Sequence, residues 1–86
     1  MIKEITTKSG FSVSVDTDKL DNMELVEALA ELNENDIAMP KVATMVLGNE
    51  DKYRLYDHLR TEKGNIPVKP FTNEFTEIME LLGAKN

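Results

Sequence analysis

The chain has 86 residues, no cysteine and a net charge of −6, which leaves room for one hydrophobic core and excludes disulfide staples and thiolate chemistry. An acidic chain also suits a nucleic-acid partner poorly, because phosphate contacts rest on Lys and Arg. Met1–Gly10 lacks the apolar core of a signal peptide and no run nears bilayer length, so a single domain over 1–86, soluble and cytoplasmic with no membrane partner, is expected.

In chain order, Ile2–Thr7 is rich in β-branched residues, and Phe11, Val13 and Val15 alternate with Ser12, Ser14 and Asp16, the period of a half-buried strand. Lys8-Ser9-Gly10 turns the chain between them, with Gly10 free to take the positive φ of a three-residue loop. This hairpin, residues 2–15, is too small to stand alone and must lie on helices.

The first helix, about 22–33, has a full start signal: Asp21 as N-cap, Glu24 as capping-box partner, and Leu20 with Leu25 as a hydrophobic staple. Leu25, Leu29 and Leu32 then share one side and Glu24, Glu27, Glu31 and Glu34 the other. Pro40 opens a second helix, about 40–47, apolar almost all round through Val42, Ala43, Met45, Val46 and Leu47 and ended by Gly48. Asn49 caps a third, about 50–62, with Leu55, Tyr56 and Leu59 inward, Tyr53 on the edge and Gly64 as stop. Pro67 and Pro70 hold Ile66 and Lys69 extended, so the last helix, about 71–82, begins near Pro70 or Thr72. Phe71, Phe75, Ile78, Met79 and Leu82 form its narrow apolar stripe, with Glu74, Glu77 and Glu80 facing away. The expected fold class is α+β, an N-terminal β-hairpin packed on a bundle of about four short helices.

No arrangement of catalytic groups is legible. His58 is the only histidine, and Asp57 beside it points about 100° away around the helix, so adjacency cannot make them a base and its orienter. Ser9, Ser12 and Ser14 lie in the hairpin without the strand-to-helix turn that exposes a hydrolase serine. Asp16-x-Asp18 with Glu27 matches the ends of a calcium loop, but Leu20 stands where an oxygen ligand is needed and Asp21 where the sharp-turn glycine belongs. Helix, Gly48-Asn49, helix has the outline of a DNA-binding pair. Arg54 and Arg60 nevertheless diverge by about 120° and share their side with Glu50, Asp51 and Asp57. A non-enzyme with no metal or cofactor is expected.

Eight acids, Asp16, Asp18, Asp21, Glu24, Glu27, Glu31, Glu34 and Asp36, stand against Lys19 alone in one stretch. Glu24, Glu27, Glu31 and Glu34 are the candidate partner-binding residues, as a strip that a basic partner could dock on; a solvated outer face is the plainer reading of the same pattern. Met23, Met39, Met45 and Met79 read as core filler or as adaptable contact with a client.

From Leu20 to Leu82, the acidic-leucine helix Asp21–Leu32, the segment Tyr56-Asp57-His58-Leu59-Arg60 and Gly64-x-x-Pro67-Val68 together resemble the small tail assembly chaperones that siphophages and prophages encode next to the tape measure protein. The resemblance implies a non-enzymatic cytoplasmic protein of the bacterial host cell. It would bind the tape measure protein, keep that long helical chain soluble and help recruit tail-tube subunits, with self-association left open. Pro70 departs from the pattern by delaying the last helix. The alternative from composition alone is an acidic regulatory or inhibitory module that occupies a basic or nucleic-acid-binding surface.

Overall fold

The computed structural model describes residues 1–83. Strand β1 (Ile2–Thr6) pairs antiparallel with β2 (Ser12–Asp16), Ile2 opposite Asp16 and Thr6 opposite Ser12. The Thr7 amide donates to the Phe11 carbonyl at 2.9 Å and the Gly10 amide to the Thr7 carbonyl at 3.0 Å, closing the three-residue loop with Gly10 at φ 93°. Alternation puts Ile5, Phe11, Val13 and Val15 on the buried side of the hairpin, so the period-2 pattern becomes a packed face.

Three helices follow, α1 (Met23–Glu34), α2 (Met39–Leu59) and α3 (Val68–Leu81), rather than the four expected. The expected second and third are the two limbs of α2, which bends where Gly48 leaves helical geometry at φ 83° and ψ 163°. That conformation is open to glycine and strained for other residues. Val42, Ala43, Val46 and Leu47 of the first limb are buried, as is Leu55 of the second.

Helix boundaries shift for identifiable reasons. The N-cap of α1 is Asn22, not Asp21: its side chain accepts from the Glu24 amide at 3.0 Å. The Asp21 amide is already committed to the Asp18 carbonyl, closing a 3-10 turn over Thr17–Leu20, so a capping box on Asp21 has no donor left to satisfy. Helix α2 stops at Leu59, short of Glu62. Arg60 turns extended at ψ 133°, and Gly64 closes a separate turn by donating to the Thr61 carbonyl at 2.9 Å. Helix α3 starts at Val68 on Pro67, earlier than expected, with Pro70 inside its first turn. Amides there have no intrahelical acceptor, so the missing N–H of Pro70 forfeits nothing.

One buried cluster draws on the hairpin and all three helices, and Phe71, Phe75, Ile78 and Met79 of α3 and its C-cap Leu82 all belong to it. Among the described residues no helix is long and apolar enough to cross a membrane.

Candidate functional site

Glu74 does not face away from the core. It is 7% exposed, and its Oε2 accepts from Thr7 Oγ1 at 2.5 Å and from Ser9 Oγ at 2.7 Å. Thr7 Oγ1 in turn accepts from the Phe11 amide at 3.2 Å. Glu77, on the same helix, accepts from the Lys8 amide at 2.8 Å. The two carboxylates thus clamp the hairpin loop to α3. Sequence reasoning misses this because the partners lie more than sixty residues away and Glu74 precedes Glu77 and Glu80, one and nearly two turns on, in what looks like a solvated edge.

The same loop brings Ser9 Oγ within 2.9 Å of His58 Nε2, a meeting the helix pattern around His58 could not reveal. Ser9 Oγ also donates to Glu74 Oε2 at 2.7 Å and lies 3.1 Å from Thr7 Oγ1, so its hydroxyl is shared among three partners. Beside it the Phe11 and His58 rings lie 5.5 Å apart and the Arg54 guanidinium covers Phe11 at 5.3 Å. Arg54 also bonds Asp51 at 2.8 Å and the Ser12 carbonyl at 3.0 Å, while Arg60 bonds Asp57 at 3.2 Å and the Gly64 carbonyl at 2.8 Å. Both guanidinium groups are engaged in holding the fold. Asp16, the first residue of the failed calcium pattern, accepts from the Asp18 amide at 3.0 Å and from the Met1 ammonium at 3.2 Å. The Asp18 amide first, then that ammonium, holds its carboxyl below the usual carboxylate range.

Glu24, Glu27, Glu31 and Glu34 are all exposed, and among the described residues none makes an ion pair. They lie on the far side of α1 from Leu29 and Leu32, as the helical period requires.

On the near side there is a feature no pattern indicated, an open groove running along α3. Two hollows of about 450 and about 700 Å³ share Asp36, Met39 and Thr72 as lining and so lie end to end. At one end Ile37 and Val68, 82% and 75% exposed, flank a wall of Tyr56, Ile66 and Phe71. At the other Leu29 and Leu32 of α1 face Phe75 and Met79 of α3. A row of rings underlies it: Tyr53 to Tyr56 at 5.6 Å, Tyr56 to Phe71 at 5.4 Å, and Phe71 stacked on Phe75 at 6.3 Å. Ile37 follows Asp36 and precedes Ala38, and Val68 lies between Pro67 and Lys69, with no periodicity to mark either as a rim.

Comparison with models of protein families, with curated proteins and with solved structures finds no match for this chain.

Proposed function

We propose that the chain is a non-enzymatic tail assembly chaperone that binds the tape measure protein of a phage or prophage in the cytoplasm of the bacterial host and assists assembly of the tail tube. The observation that carries this reading is the open apolar groove along α3, with Ile37 and Val68 exposed on its rim. Such a surface covers the apolar stripe of a helical client by contact rather than by chemistry. The resemblance in Asp21–Leu32, Tyr56–Arg60 and Gly64–Val68 supplies the identity of that client. The four exposed glutamates of α1 support attraction of a basic segment, and equally the second reading, an acidic module that occupies a basic or nucleic-acid-binding surface.

Co-expression with an aggregation-prone tape measure fragment tests the proposal. The fragment should become soluble and co-purify, and reversing Glu24, Glu27, Glu31 and Glu34 to Lys should weaken capture most at low salt, since exposed charges act over about 10 Å at 0.1 M salt. A fragment that stays insoluble beside the wild-type chain overturns the chaperone reading. Displacement of DNA or of a polyanion from a basic protein by this chain would instead favour the inhibitory module.

A further inference from the structure

The groove has a length and lining that suit a helix. Its α3 bank consists of Val68, Phe71, Thr72, Phe75, Thr76, Met79 and Glu80, the i, i+3, i+4, i+7, i+8, i+11, i+12 series of one helix side. From Val68 to Glu80 that bank is roughly 18 Å long at 1.5 Å per residue, enough to seat about three helical turns. The opposite bank changes from Ile37, Met39 and Pro40 to Leu29, Leu32 and Asn33, so both banks carry side chains along the length of the groove. The charged side chains lining the groove are Asp36, midway, and Glu80, at one end. Both are acidic.

We infer that the groove seats a helical segment of a partner protein, about twelve residues long, whose apolar stripe is flanked by Lys or Arg where it passes Asp36 and Glu80. This inference rests on the client-binding reading above and gives it a seat. Direct contact then belongs to the groove, while the glutamate strip, across a helix about 10 Å thick, acts on the client only through its long-range field. The stripe supplies affinity and the two acids fix which helices fit and in what register.

Fluorescence anisotropy with three labelled synthetic helical peptides, one with basic flanks, one with the same stripe and acidic flanks, and one with the stripe scrambled, provides the test. The full chain should bind the basic-flanked peptide and discriminate against the other two by about tenfold or more. Ile37→Lys and Val68→Lys, both at exposed positions, should each weaken binding by a similar factor with unchanged circular dichroism. Glu80→Lys, also exposed, should shift preference toward the acidic-flanked peptide, a gain that misfolding cannot produce. Equal binding of all three peptides, or binding indifferent to Ile37→Lys and Val68→Lys, overturns the inference. So does a concentration-dependent dimer in sedimentation that Ile37→Lys dissociates, because the occupant would then be a second copy of this chain. Solubilisation of the tape measure fragment is scored separately: rescue without peptide binding rejects the groove and keeps the chaperone, and peptide binding without rescue does the opposite.

Discussion

Replacing Glu74 by Ala should destabilise the domain more than any other change to an acidic residue. Glu74 is 7% exposed and Thr7 4% exposed, so loss of the carboxylate leaves the Thr7 hydroxyl with little access to water and only the Ser9 hydroxyl, 3.1 Å away, as a partner. A hydrogen bond to a charged group contributes roughly 1.5–3 kcal/mol. The Ser9 bond adds less, because Ser9 is exposed and can turn to solvent. Against this stands relief of the desolvation that Glu74 itself suffers, which removes part of the loss. The balance is about 2–3 kcal/mol, a large fraction of the roughly 5–15 kcal/mol that holds a domain folded. At about 4–8 °C per kcal/mol for a chain of this size, thermal unfolding followed by circular dichroism should show the midpoint falling by roughly 10–20 °C. Thr7→Val also strips the Phe11 amide of its acceptor, so the single variants alone do not isolate the pair. The double-mutant cycle does, and it should return a coupling of at least about 1 kcal/mol. A Glu74→Ala midpoint within about 3 °C of wild type, or additive effects of Thr7 and Glu74, would refute the clamp.

Ile78→Asp should unfold the domain or leave it without cooperative melting. Ile78 is fully buried, and an unpaired charge there together with lost packing costs more than about 3 kcal/mol; a cooperative melt near the wild-type midpoint would contradict it. Gly48→Ala meets open space, with the Lys19 ammonium 4.0 Å away as its nearest neighbour. Its φ of 83° and ψ of 163° should nonetheless cost about 1–3 kcal/mol in urea unfolding, and an unchanged or raised midpoint would mean the two limbs of α2 can straighten. The lowered pKa of Asp16, below its ordinary 3.8, means the folded state favours its charged form. That stability is present above the unfolded pKa and lost as pH falls through the folded one. Asp16→Ala should therefore lose stability at neutral pH and approach the wild type as acid protonates the Asp16 carboxyl, at a pH below its ordinary 3.8; a gap that does not narrow on acidification would point to a cause other than charge.

The sequence made the hairpin and the apolar stripe of α3 legible because each repeats a single period over several residues, and burial of one face is what that repetition encodes. The two limbs of α2 were legible through Gly48, though not their union in one bent helix. Errors arose where one local signal competed with another. Asp21 has the side chain of a cap, yet its amide is consumed by the preceding turn, which passed the role to Asn22. Pro70 reads as a helix barrier, yet in a first turn it forfeits nothing. The site was the least legible part. Glu74 is defined by a hairpin loop distant in sequence, and the groove exists only where α1, the turn at Asp36–Ala38, α2 and α3 converge. Glu24, Glu27, Glu31 and Glu34 were visible for the opposite reason, as a regular pattern within one helix, which is also why they lie on its outer side.

Methyl NMR of the chain in complex with a solubilised tape measure segment would report whether a helical client lies in the groove along α3. Ile37 and Val68 lie on the groove rim, while Ile2 and Val26, 65% and 54% exposed, are apolar positions outside its lining. Large methyl shifts and client contacts are expected at Ile37, Val68 and the Leu29–Leu32 bank, with Ile2 and Val26 unmoved. Shifts at Val26 or Ile2 with Ile37 and Val68 unchanged would contradict it.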